Sequence, residues 1–201
     1  MRKDDISGKK SLTKDFFLTN DVVSLARSLV GRRLLTSENG IVTGGMITET
    51  EAYVGTADKA SHAYGGKRTA RTEFMFHEGG IAYIYLCYGI HSLFNIVTNK
   101  EGIPDAVLIR GIRPEIGATK MLQRTKKKKA GKNLTNGPGK VAKALGLHYS
   151  QSGIELNKEI NGFKVWVENH RLAEPHQIKP GKRIGVDYAK EDAERLYRFF
   201  V

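Results

Sequence analysis

The stretch "MITETEAY", residues 46–53, puts acidic and aromatic side chains at alternating positions. In an extended strand such positions share one face, so Ile47, Glu49, Glu51 and Tyr53 are expected to point the same way. Glu51 and Tyr53 then stand roughly 6.5–7 Å apart along the strand. A carboxylate beside an aromatic plate can hold a flat ligand and activate a water. The plainer reading is a solvated outer face, because strand glutamates are commonly exposed.

A second stretch, "YIYLCYGIHSLFN", residues 83–95, places three tyrosines within six positions and then breaks at Gly89. Tyr83, Tyr85 and Cys87 share one strand face. Tyr88 stands just before the expected turn, where no neighbouring strand covers its ring. It reads either as an inserted wedge or as a core tyrosine whose hydroxyl reaches the surface. We expect Tyr83 in the core and Tyr85 and Tyr88 at a site.

Other chemistries find no support. The six histidines and Cys87 form no metal-ligand spacing, so no metal is expected. "NGPGK" resembles the end of a phosphate loop, but Leu134 and Val141 stand where that motif needs glycine and a hydroxyl residue. No nucleophile elbow is present.

These residues need a scaffold. The chain has 201 residues, 40% of them hydrophobic, enough for one domain with a sizeable core. The first 14 residues read as a flexible basic tail and 15–201 as the single domain. "NDVVSLARSLVG" has the apolar spacing and Asn20/Asp21 cap of a helix. Asn39-Gly40 signals a hairpin between two extended runs. Strands are expected around Gly89, in "DAVLIRGIRP", in "FKVWVE" and in "RIGV". Pro114 is expected to open a helix through "EIGATKMLQR", and "GKVAKALGL" reads as another. Six lysines or arginines within residues 124–132 read as a solvated, mobile connection. The sum is a mixed α/β domain.

Thirty-three Lys+Arg face 21 Asp+Glu, a net +12, which attracts polyanions and nucleic acid first. One cysteine excludes an intramolecular disulfide framework. With no apolar signal core and no membrane-length run, a soluble cytoplasmic protein is expected, with no membrane partner.

Taken in order, "ETEAYVGTADKASHAYGGKRTAR", "MF", "YIYLCYGIHSLFNIV", "AVLIRGIRP", "NGPGKVAKALG" and "RIGVDYA" resemble the alkyladenine (3-methyladenine) DNA glycosylase family. The likeness covers nearly all of the chain after the tail. It implies an α+β domain with a curved, mainly antiparallel sheet, flanking helices and a protruding β-hairpin. It implies a monomer that needs no cofactor, binds double-stranded DNA with damaged purines and, in a bacterium, associates with the nucleoid. By the same likeness Tyr88 fills the gap left by a rotated-out nucleotide. Tyr53 lies on one side of the expelled base, His62 and Tyr85 on the other, and Asn95 discriminates against guanine. Glu51 is the catalytic carboxylate. Arg110 and the main-chain carbonyl of Ile184 hold the attacking water. Two departures stand out: Ile90 replaces a methionine near the wedge, and "HEGG" follows "MF" in place of a Pro-Gly turn.

Chemical sense supports those roles. An inserted ring offsets part of the few kcal/mol that unstacking costs. Tyrosine faces attract purines made cationic by alkylation, by about 0.5–2 kcal/mol per contact. Arg110 is expected to outweigh burial and keep Glu51 ionised. No lysine sits within these blocks, so water rather than a Schiff base is the expected nucleophile. Lys67, Arg68, Arg71 and Arg113 are candidate DNA-backbone contacts. The rival from another class is a non-enzymatic nucleic-acid binder with a tyrosine stacking platform; a weaker one is a strand-nicking glycosylase.

Overall fold

The computed structural model describes residues 10–171 and 173–201. A curled antiparallel sheet forms a half-barrel in a mixed α+β domain. Its strands are β1 (Arg32–Glu38), β2 (Ile41–Tyr53), β3 (Ala82–Cys87), β4 (His91–Thr98), β5 (Asp105–Ile116), β6 (Phe163–Arg171), β7 (Lys179–Gly181) and β8 (Arg198–Phe200). The main path runs β3-β4-β5-β2-β1-β6, and β8 pairs with both β2 and β7.

Helices cover one face of this sheet. Helix α1 (Val22–Leu29) starts where the Asp21 carboxylate accepts from the Ser24 N–H. Its buried stripe is Val22, Leu25, Ala26 and Leu29. Helix α3 (Pro138–Leu145) has Pro138 in its first turn and ends at Gly146 in the left-handed region. Together with Ile84, Phe94, Ile96, Val107, Ile109 and Ala52 they form the main core. Full burial of a side chain such as Phe94 contributes roughly 1.5–3 kcal/mol. The opposite face of β2–β5 is left for other work.

Three local expectations are corrected. Pro114 opens no helix: β5 runs through it to Ile116, and α2 (Ala118–Thr125) begins only after Gly117 turns the chain at φ +71°. "RIGV" is no strand; Arg183 donates inward to the Ala52 carbonyl and the Ile184 N–H to the Glu51 carboxylate. Ile47 does not share the face of Glu49, Glu51 and Tyr53. The β2–β5 register shifts on both sides of Glu49, so Thr48 is extra on β2 and Arg110 is extra on β5. Ile47 consequently joins the helix-covered core.

Residues 1–9 of the expected tail lie outside the described residues. Lys10 to Lys14 lie on the domain rather than free of it. Ser11 bridges to Glu168, Leu12 is buried, and Lys14 starts a short 3-10 turn. Gly79 of "HEGG" lies against the backbone of the 3-10 turn and the end of β4: a Cβ there would meet the Phe17 carbonyl oxygen at 2.7 Å and the Thr98 Cα at 3.0 Å.

Candidate active site

Register assembles the site. Tyr83 faces Asn95 across β3–β4, Asn95 faces Leu108 across β4–β5, and Leu108 faces Glu51 across β5–β2. At about 4.8 Å per strand this row spans roughly 14 Å. A parallel row brings Ala106 opposite Tyr53. The segment between β2 and β3 folds over these rows and supplies Ala60, His62 and Met75; the segment after β7 supplies Ile184, Val186 and Tyr188. Between them lies a cavity of about 200 Å³. It is smaller than the ~300–1,000 Å³ pockets of drug-sized ligands, which suits one small flat group.

Glu51 has no solvent exposure. It sits behind the cavity wall, bonded to three groups that line it. One oxygen, Oε2, accepts from the Tyr53 hydroxyl at 2.8 Å. The other, Oε1, accepts from the Ile184 N–H at 2.8 Å. Arg110 reaches Oε2 only at 3.5 Å through Nη1, and its Nε lies 3.4 Å from Oε1. Arg110 Nε instead donates to Glu49 Oε1 at 3.2 Å. This geometry reverses one expectation. Burial raises the Glu51 carboxyl above its ordinary value, and Arg110, the Ile184 N–H and the Tyr53 hydroxyl offset only part of that. The arginine is held too far away to win.

His62 is fixed from both ring nitrogens. Arg71 Nη2 donates to Nε2 at 3.2 Å, which leaves Nδ1 as the N–H facing the Tyr83 hydroxyl at 2.8 Å. Burial first, then the charges of Arg71 and Lys67, lower its pKa to about 4, so the ring is neutral near pH 7. His62 meets Tyr85 edge-on, with centroids 4.5 Å apart at 79°. Asn95 is buried, and its Nδ2 donates to the Tyr83 and Leu93 carbonyls at 3.1 and 3.3 Å. That leaves Oδ1 as the atom free for the cavity that Asn95 lines.

Tyr88 stands at the tip of the β3–β4 hairpin with 92% of its surface exposed. Ile90 N–H donates to the Cys87 carbonyl at 3.1 Å, and Tyr88 and Gly89 take φ +51° and +71°. Both central residues are thus left-handed, as a type I′ turn requires. For tyrosine that conformation costs roughly 1–2 kcal/mol.

The expected backbone contacts differ among themselves. Arg68 is doubly bonded to Glu73 at 2.9 and 2.6 Å, and Arg113 pairs with Glu115 at 3.1 Å. Arg71 backs two residues of the pocket wall, its guanidinium 4.9 Å from the Tyr85 ring centre and bonded to His62. Lys67 is exposed.

Sequence reading missed Arg183 and Tyr188. The Arg183 side chain is fully buried and doubly paired with Asp58, Nη2 donating to Oδ1 at 2.9 Å. It also donates to the Ala52 carbonyl and lies 5.0 Å from the Tyr53 ring centre. It therefore locks the ring that holds Glu51, and it directly precedes the N–H that does the same. Breaking such a buried pair typically costs about 3–5 kcal/mol. Tyr188 adds another cavity-lining ring, its hydroxyl donating to the Ala60 carbonyl at 3.1 Å. Both fall inside the quoted "RIGVDYA" block; nothing in their spacing reveals partners more than 120 positions away.

Among the described residues no cluster of His, Cys, Asp and Glu could hold a metal ion, and no helix is long and apolar enough to cross a membrane. A curled sheet sets a ring-lined cavity before a buried carboxylate. The chain belongs to the methylpurine-DNA glycosylase family, whose model matches residues 16–201. Family membership makes it a hydrolase acting on N-glycosyl bonds. Proteins from Chlamydia pneumoniae and Chlamydia felis are each 43% identical, over 192 and 194 residues. These alignments cover 94% of this chain and 94% and 95% of the relatives. A Bacillus thuringiensis protein is 41% identical over 189 residues, 92% of each chain. All three carry the name "Putative 3-methyladenine DNA glycosylase". DNA is accordingly the substrate and DNA repair the setting.

Proposed function

We propose that the protein is a monofunctional glycosylase of base excision repair, acting as a cofactor-free monomer on alkylated or deaminated purines in duplex DNA. 3-Methyladenine, 7-methylguanine, hypoxanthine and ethenoadenine are the candidate bases. The observation that carries this reading is the Glu51 carboxylate, buried behind the walls of a cavity rich in tyrosines.

The damaged nucleotide rotates out of the helix and Tyr88 takes its place. The base enters between Tyr53 on one side and His62 with Tyr85 on the other. Asn95, with Nδ2 already committed, keeps out the 2-amino group of guanine by crowding. As the glycosidic bond breaks, positive charge grows on the sugar, and Glu51 stabilises it and takes a proton from the attacking water. Arg110 and the Ile184 main chain hold that water. Base and abasic sugar then separate, and the strand stays whole. Lys67 is the best-placed of the candidate phosphate contacts: it is exposed, and among the described residues no carboxylate pairs with it, whereas Arg68 and Arg113 are paired and Arg71 is held by His62 and Tyr85.

The test uses duplexes that each carry one defined lesion. Free purine should be released, with strand breaks appearing only after alkali. Binding without release would favour the non-enzymatic binder, and breaks without alkali the strand-nicking enzyme.

A further inference from the structure

Glu49 is a second carboxylate at the site, two residues from Glu51, and takes no part in the proposed steps. Its Oε1 accepts from Arg110 Nε at 3.2 Å and from Arg198 Nη1 at 3.0 Å. Arg198 comes from β8, which pairs with β2 over Glu49–Glu51. Arg110 is the extra residue of the β5 bulge, so strand geometry alone does not fix where its side chain goes. Glu49 is mostly buried, as is Arg110, and both Glu49 and Arg198 also line a second cavity beside the site.

We propose that Glu49 is a positioning residue: anchored by Arg198, it holds Arg110 off a tight pair with Glu51 and so keeps Glu51 basic. The inference rests on Glu51 being the base. An arginine fork closed on a carboxylate forms two short bonds and makes it a weak base. Here Arg110 has a single Nε–H, and Glu49 takes it. Glu51 keeps only long contacts to that arginine, while the neutral Tyr53 hydroxyl and Ile184 N–H hold it in place. The like charge of Glu49 pushes Glu51 further in the same direction.

The groups facing Glu51 are Arg110 from β5, Glu49 and Tyr53 from β2, Arg198 from β8, and Arg183 and Tyr188 from the segment after β7. His62 titrates at about 4. Its titration therefore lies below the limb that a raised Glu51 would produce.

Single-turnover base release is measured against pH for wild type, Glu49→Gln, Glu49→Ala and Glu51→Gln. The glutamine keeps an acceptor for both arginines but removes the charge; the alanine removes both. Glu49→Gln should keep the plateau rate within about threefold and move the acid limb to lower pH by roughly half a unit or more. Glu49→Ala should move the limb at least as far and lose about tenfold or more at the plateau, as Arg110 closes on the base. Thermal melts establish that each variant is folded, and the glutamine variant alone decides the matter if the alanine variant is not. An unmoved acid limb in folded Glu49→Gln overturns the positioning role. Wild-type release by Glu51→Gln instead overturns the catalytic reading beneath it, so the two failures are distinct.

Discussion

Glu51 is fully buried, and burial works against the charge that the proposed mechanism asks of it. Its pKa in the folded protein lies above its value of about 4.3 in an unfolded chain. The sign follows from linkage: stability tied to this group is fully present below the unfolded value and is lost as pH rises through the folded one. At neutral pH the ionised carboxylate therefore destabilises the fold. Glu51→Gln should melt a few degrees above wild type at pH 7.5, where about 1 kcal/mol shifts a domain of this size by roughly 2–4 °C. The advantage should vanish near pH 4, and calorimetry at the two pH values checks it. A melt that falls at both would mean that the Arg110 and Tyr53 contacts outweigh desolvation.

The hairpin holds a comparable tension at the scale of an element. Tyr88 makes little packing contact, yet it keeps a left-handed backbone that glycine adopts more readily. Tyr88→Gly should stabilise the protein by roughly 0.5–1 kcal/mol while weakening its grip on lesion DNA. Denaturant melts and binding titrations would then move in opposite directions. Equal affinity for lesion DNA would remove the wedge from the mechanism. Elements are also where sequence reading succeeded and failed. Alternation within β3 was legible because nothing interrupts it, and Asp21 and Asn39-Gly40 marked their cap and turn through purely local chemistry. The β2–β5 bulges were not legible. They depend on a partner strand some sixty positions away and on the Gly111–Asn136 bridge, so parity counted from Glu51 misplaced Ile47. The Asp58–Arg183 pair escaped for the same reason, since one-dimensional spacing carries no trace of it. The resemblance supplied Arg110 and Ile184, but not the distances that leave the arginine subordinate to burial.

Across the whole molecule the surplus is +12 charges. Ion pairs such as those of Arg68, Arg113 and Arg183 leave it unchanged, because each cancels one charge of either sign. This surplus should dominate attraction to undamaged DNA, where each neutralised phosphate contributes a slope of about −0.9 to log K against log salt. Affinity for an undamaged duplex should fall roughly 10²-fold or more between 50 and 200 mM salt, while the plateau rate of base release changes little. A salt-independent affinity would show that the charge serves something other than DNA.

In the proposed reaction one buried carboxylate drives hydrolysis in a pocket that other residues build. Single-turnover release of purine from a methylated duplex, with the enzyme in excess, compares wild type with Glu51→Gln most directly. Release should fall by about 10²-fold or more, the usual contribution of a general base, while lesion-DNA affinity stays within about threefold. Release by the variant at the wild-type rate would contradict the account.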